Sequence, residues 1–397
     1  MGRKKIPIPT PAARGDGWVG KDGNGFRTFF YVNGTLIKPR FKTYAEAEAH
    51  RIALCKDRDA GINIGTAQQT VAQWIEHWLQ YGCDDLKAKT REGYRAAVDR
   101  YILPQLGHIR LKDLKAQHIE VWQKNLRTKG RKTARGDAPQ GLAVNTVLIA
   151  RRRLDTALEY ARRHKVIAEN PARSTKAPRN DDKVPVQFLT PEEIRTFLGS
   201  IRQHRLYALY AVEATYGLRR GEILGLQWAN VDIDGPKPCI EVKEQMQELH
   251  RDGAIVFVYG TVKTKGGKRR LVLNAELVAL LRQHRTQQRE ERLALGQWNG
   301  GDLVFTSEAG TPLRARNILR QFHRMLHRAN LRQVTFHSLR HSAGSIMLAY
   351  GVSLVTVSKT LGHSSVDITA GIYAHLLDIQ REHAAESMRF LLENVGT

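Results

Sequence analysis

Apolar and polar positions change period twice along this chain. From residue 26, "FRTFFYVNGTLIKPRFKT" alternates aromatic or aliphatic with polar residues about Asn33-Gly34, a pair that favours a tight hairpin. "YAEAEAHRIALCKDR" follows at a helical period, with Ala45, Ala49 and Ile52 or Ala53 on one side. A small sheet plus one helix is therefore predicted for residues 1–65. From 68 to 176 the period is helical throughout. "TVAQWIEHWLQYG" puts Val71, Trp74, Ile75, Trp78 and Leu79 on one face, and "TREGYRAAVDRYILPQLG" begins at Thr90 and stops at Pro104 and Gly107. Two more helices follow, and their aromatic and leucine stripes read as core. After the extended stretch "NPARSTKAPRNDDKVPVQ", residues 185–397 open on "LTPEEI". There Thr190, Pro191 and Glu193 have the positions of N-cap, N1 and N3 in a capping box. Strands ("CIEVKEQMQ", "AIVFVYGTVKTKGGKRRLVLN") and further helices complete a mixed α+β segment. The expected fold is multidomain and mainly α with small β elements.

Composition narrows the partners. The 397 residues carry 63 Lys and Arg against 39 Asp and Glu, a net charge of +24, which attracts polyanions and points to nucleic acid. No run approaches the ~18 apolar residues of a membrane span, and no apolar stretch follows the basic N-terminus, so neither a membrane partner nor a signal peptide is expected. Three scattered cysteines give neither a disulfide framework nor a zinc set, and fit a reducing cytoplasm. Basic positions suited to DNA phosphates are Lys38, Arg40 and Lys42, alternating along the second N-terminal strand. Others are Arg131 and Lys132 in the loop "TKGRKTARGDAPQG", and Arg151, Arg152 and Arg162 on the last helix of the middle segment.

The chemistry concentrates in the third segment. "TFHSLRHS" places His337 and Arg340 about one helical turn apart. "ATYGLRRGEILGLQW" puts Arg219 after a glycine turn, with Glu222 on the helix beyond. "TVKTKGGKRRLVL" reads as a hairpin whose tip is Gly266-Gly267, flanked by lysines. "TLGHSSVDITAGIYAH" supplies His363 and, ten residues on, Tyr373. His337 and His341 stand at i, i+4, but no HExxH glutamate accompanies them and no metal site is expected.

In order and spacing these motifs resemble the tyrosine site-specific recombinases, or phage-type integrases, across residues 190–380. The middle segment resembles that family's core-site-binding domain, and residues 1–65 resemble its arm-site-binding domain. The resemblance implies a catalytic domain at 185–397 with Arg219 and Arg340 on the phosphate, and His337 as base or proton relay at Tyr373. It also implies His363 as a phosphate donor and a hairpin lysine as acid for the leaving 5′-oxygen. The family pattern favours Lys263; a shorter hairpin aligns Lys265, and alternation places both on the same face of the strand.

Those residue types suit strand exchange. Without a P-loop or an acidic metal cluster, rejoining needs a protein nucleophile that conserves the phosphodiester energy. Tyrosine, with a pKa near 10, needs a base or a strongly positive site, and arginine forks match the charge on phosphate oxygens. The expected activity is metal- and ATP-independent integration or excision of a mobile element through a 3′-phosphotyrosyl link, with no cofactor. Expected partners are double-stranded attachment sites, a tetramer of this chain on DNA, and candidate DNA-bending and excision factors, in a bacterial cytoplasm. "GVSLVTVSKTLGHSS" also has a helix-turn-helix pattern, so a non-catalytic regulator is the rival reading, as is a type IB-like topoisomerase. The tail "LLDIQREHAAESMRFLLENVGT" has an apolar face at helical spacing, which packs on its own domain or, as the resemblance implies, docks on a neighbouring protomer.

Overall fold

The computed structural model describes residues 16–32, 35–59, 61, 68–131, 140–179, 187–262 and 265–373. It divides into two compact units, residues 1–183 and 184–397. Asn33-Gly34, Lys132, Lys263 and the tail after Tyr373 lie outside the described residues.

The first unit begins with strands β1 (Trp18–Asp22), β2 (Gly25–Val32), β3 (Thr35–Ile37) and β4 (Arg40–Phe41), all antiparallel about β2. β2 and β3 pair in the register Val32↔Thr35 and Phe30↔Ile37. Pro39 interrupts the expected second strand, since it has no N–H to donate to a ladder. Lys38 is therefore between β3 and β4 and Lys42 beyond them, although Lys38, Arg40 and Lys42 are all exposed. Helix α1 (Tyr44–Asp59) covers the sheet, burying Ala47 and packing Leu54 against Phe30. The predicted face was wrong: Ala45, Ala49, Ile52 and Ala53 are exposed. Polar groups fix the orientation instead, because Thr28 donates to the Ala47 carbonyl (2.6 Å) and Arg51 to the Asp16 carbonyl (3.0 Å).

The helices of this unit are α2 (Val71–Tyr81), α3 (Ala88–Ala97), α4 (Leu103–Leu106), α5 (Ala116–Lys129) and α6 (Val144–Arg163). A π-turn at Val98–Ile102 joins α3 to α4 just ahead of Pro104, where a helical donor is missing, and Gly107 closes the helix onto Leu103. Val71, Trp74, Ile75, Trp78 and Leu79 are all buried as their spacing predicts. Trp74 and Trp122 each satisfy their indole N–H on a backbone carbonyl, at Ala157 (2.9 Å) and Tyr101 (2.7 Å).

In the second unit, α7 (Pro191–Ser200) starts with the Thr190–Glu193 capping box read from the sequence. Then come α8 (Tyr207–Tyr216), α9 (Arg220–Leu224), β5 (Val231–Asp232), β6 (Cys239–Val242), β7 (Glu244–Arg251), β8 (Ala254–Thr261) and β9 (Arg269–Val272). Helices α10 (Ala275–Leu295), α11 (Ala315–Arg328), α12 (Phe336–Ala349), α13 (Leu354–Leu361) and a last one, α14, at 366–373 follow. The core joins Leu209, Val212 and Ile223 to Ile240, Leu271, Phe322, Phe336 and Leu339.

The strand pairing corrects the lysine hairpin. β8 pairs with β7 along its full length and β9 pairs with β6, so the segment around Gly266-Gly267 joins two different sheets. The turn Asp252-Gly253, with both residues at positive φ (50° and 77°), is an Asp-Gly hairpin signal that captures β8 for β7. β9 in turn buries Leu271 opposite Ile240.

Candidate active site

The end of α8 builds the centre of the site. Gly217 adopts a left-handed conformation (φ 58°), and a Cβ there would approach the Arg340 Cα to 2.9 Å. Glycine thus both ends the helix and admits α12. Two residues later Arg219 is the N-cap of α9, and its backbone N–H donates to Glu222 Oε2 (2.9 Å). Its guanidinium folds back, donating to Glu222 Oε1 (2.8 Å) and to the Gly362 carbonyl (2.5 Å).

Arg269, on β9, completes the arrangement. It donates to Glu222 Oε2 (2.8 Å), the Thr360 carbonyl (2.6 Å) and the Gly267 carbonyl (3.0 Å). Glu222 therefore holds two guanidiniums at once. Burial works to raise its pKa, but Arg269 and Arg219 together hold it below the usual carboxylate range. Both arginines also grip the end of α13, where Gly362 (φ 71°) turns the chain towards His363. The Gly266 turn packs on the same place, within 3.0 Å of the His363 carbonyl for an added Cβ.

Arg340 is 2% exposed and donates to the Gly217 carbonyl (2.6 Å). Burial, then Arg219 and Arg269, lowers its pKa to about 10, so it stays charged at neutral pH but lacks a full counter-charge. Beneath it on α8, Glu213 is fully buried and neither carboxylate oxygen has a hydrogen-bond partner among the described residues. That burial pushes its pKa well up, against the pull of Arg340.

Three imidazoles border these cations. His337 is at the exposed edge of α12, ring to edge with His341 (4.8 Å between centroids), and partial desolvation of the ring, followed by His341 and Arg340, depresses its pKa. His363 is half-buried, and burial, Arg340 and Arg219 press it down to about 4. Its Nδ1 lies 2.7 Å from Thr369 Oγ1.

Tyr373 is fully buried, against Leu348, Val357 and Leu361. A Cβ on Gly344 would collide with its hydroxyl, which has no hydrogen-bond partner among the described residues. Burial raises its pKa to about 12 although Arg340 opposes this. The face formed by Val357 and Leu361, read above as helix-turn-helix, is what packs this ring.

The structure thus gathers Arg219, Arg340, His337, His363 and Tyr373 in one unit. Lys265 begins a short 3₁₀ turn (Lys265–Gly267), whose Gly266 packs against the His363 carbonyl. Sequence reading gave no role to Arg269, Glu213, Gly344 or Thr369; only Glu222, three residues after an N-cap, carried a local signal. Among the DNA-contact candidates, Arg151 is engaged by the Ala172 and Thr175 carbonyls (both 2.8 Å) and Arg162 by Glu159 (2.7 Å). Arg131 bonds Gln140 at the base of its loop (3.1 Å), while Arg152 is exposed.

Residues 187–379 match the phage integrase family, and residues 70–127 match the phage integrase N-terminal SAM-like domain. A tyrosine recombinase XerC-like protein of Caldanaerobacter subterraneus is 29% identical over 377 residues, 90% of this chain and 93% of the relative. The ICEBs1 integrase of Bacillus subtilis is 29% identical over 253 residues, 63% of this chain and 66% of its own. The fold resembles the Tn1549 transposon integrase in complex with a circular intermediate DNA (TM-score 0.63, 20% identical, 80% and 99% of the two chains). It also resembles a lambda integrase dimer bound to a core site (TM-score 0.55, 16% identical, 94% and 96%). The chain belongs to the phage integrase family and is a tyrosine recombinase, an enzyme that breaks and rejoins DNA strands at specific sites.

Proposed function

We propose that Arg219 and Arg340 bind the non-bridging oxygens of the scissile phosphate and that Tyr373 is the nucleophile. The observation that carries this reading is the charge balance around Glu222. One ionised carboxylate is shared by Arg219 and Arg269, and Arg340 forms no ion pair of its own among the described residues. A phosphodiester supplies the missing negative charge, and more so as charge grows on its equatorial oxygens. His363 is neutral at physiological pH and donates one hydrogen bond to the same phosphate. His337 receives the tyrosine proton. Lys263 protonates the leaving 5′-oxygen, with Lys265 the alternate.

Residues 1–65 serve as the arm-site domain, 68–176 as the core-site domain, and 185–397 as the catalytic domain. Lys38, Arg40, Lys42, Arg131, Lys132 and Arg152 contact phosphates; Arg151 and Arg162 shape the surface that does so. The substrates are attachment sites of a mobile element, brought together in a tetramer in a bacterial cytoplasm, with bending and excision factors as accessory partners. Lambda integrase is described both as a dimer bound to a core site and as a tetramer bound to a Holliday junction. The buried Tyr373 hydroxyl supports a further point, that a lone protomer cuts poorly until assembly draws the tyrosine out.

The test is incubation with candidate element-junction DNA, trapping of the denaturant-resistant adduct and sequencing of the 5′ ends at the cut. Adduct formation that survives Tyr373→Phe sinks the assignment. Deletion of residues 1–65 spares cleavage of short core sites and impairs substrates with distal arm sites; equal loss on both refutes the arm-site role.

A further inference from the structure

The phosphate side of His363 follows from its position, but its other nitrogen is held by a residue with no assigned role. Thr369 is fully buried on α14, and its Oγ1 is 2.7 Å from His363 Nδ1. A neutral imidazole carries one N–H. Phosphate oxygens only accept, so a neutral His363 that serves them must carry its proton on Nε2, leaving Nδ1 bare. A bare Nδ1 needs a donor, and the Thr369 hydroxyl is the donor within reach. A helical threonine commonly donates instead to the carbonyl four residues back. Here Thr369 Oγ1 makes no bond to that carbonyl, Ser365 O, among the described residues; its hydrogen bond is to the imidazole.

We infer that Thr369 is a positioning residue that fixes the Nε2–H tautomer and ring orientation of His363, so that a neutral histidine presents a donor to the scissile phosphate. This rests on the reading of His363 as a phosphate donor. Pressed down to about 4, His363 cannot rely on being doubly protonated at working pH, so its tautomer decides whether it donates at all. The neighbours that face it, Arg340, Arg219, His341 and His337, are cationic or neutral. None of them supplies a carboxylate to hold an N–H at Nδ1, and a hydroxyl is the group that can donate there.

The experiment uses the full chain on a half-site duplex, comparing affinity with the single-turnover rate of adduct formation. Thr369→Val keeps the shape and removes the hydroxyl; Thr369→Ser keeps the hydroxyl and removes a methyl. The expected result is unchanged affinity and adduct formation slowed about tenfold in the valine variant, the scale of one lost orienting hydrogen bond. The serine variant should recover most of the rate. In a His363→Ala background Thr369→Val should add no further loss, since its effect passes through the imidazole. Wild-type rates in Thr369→Val overturn the inference. So does an equal further loss in the His363→Ala background, which would make the hydroxyl an anchor for the Tyr373 helix instead. Should His363→Ala alone cleave at the wild-type rate, it is the phosphate-donor reading of His363 that fails.

Discussion

Tyr373→Phe separates what the tyrosine does for the reaction from what it does to the fold. The ring is fully buried among Leu348, Val357 and Leu361, and its hydroxyl has no partner among the described residues. Removing only that oxygen keeps the packing and relieves a buried, unpaired donor, which costs about 1–3 kcal/mol. For a unit of this size each kcal/mol moves the melting temperature by about 2–4 °C. The catalytic unit should therefore melt roughly 2–12 °C higher in Tyr373→Phe, while covalent adduct formation disappears. Tyr210 provides the control, being buried with an equally unpartnered hydroxyl inside the main core. Tyr210→Phe should raise the melting temperature by a similar amount and leave adduct formation intact. Differential scanning calorimetry of the three proteins, with a denaturing gel for the adduct, makes the comparison. An unchanged or lower melting temperature in Tyr373→Phe would mean that the hydroxyl has a partner, and the argument from burial would fail.

Arg219→Lys or Arg340→Lys keeps charge but loses the fork, and should slow cleavage about 10²–10³-fold in single-turnover assays; a near wild-type rate would place the phosphate elsewhere. Of the two lysines, Lys263→Ala should lose cleavage while Lys265→Ala keeps most of it, and the reverse result would exchange their roles. Glu213 has a raised pKa, so the native fold binds its proton more tightly than the unfolded chain, and stability falls as pH rises above the ordinary value of 4.5. Glu213→Gln should remove that decline, its advantage over wild type growing from pH 4.5 to pH 8 in denaturant melts; a pH-independent difference would refute the assignment.

Much of the site was legible because its parts are local. The capping box at Thr190 and the helical stripe through Trp74 and Trp78 need only a few neighbouring residues, so their spacing predicts them. The α1 face was misread for the opposite reason. Its alanines give little periodic contrast, and a backbone contact from Thr28 outweighs them. The lysine segment was misread as a hairpin because Gly-Gly is a turn signal, whereas the Asp252-Gly253 turn upstream had already committed β8.

The sequence by itself determined the order of the motifs, the basic charge, the helix starts and stops, and the kinds of side chain available to a phosphate. Tertiary structure alone decided that Glu222 is shared between Arg219 and Arg269, and that Arg269, 47 residues away, belongs to the site. It also decided that Thr369 meets His363 and that Tyr373 turns its hydroxyl inward onto Gly344. Hydrogen-bond sharing and burial arise when elements far apart in the chain pack together. A period of 2 or 3.6 residues carries information about the face an element shows, but none about which distant group meets it there.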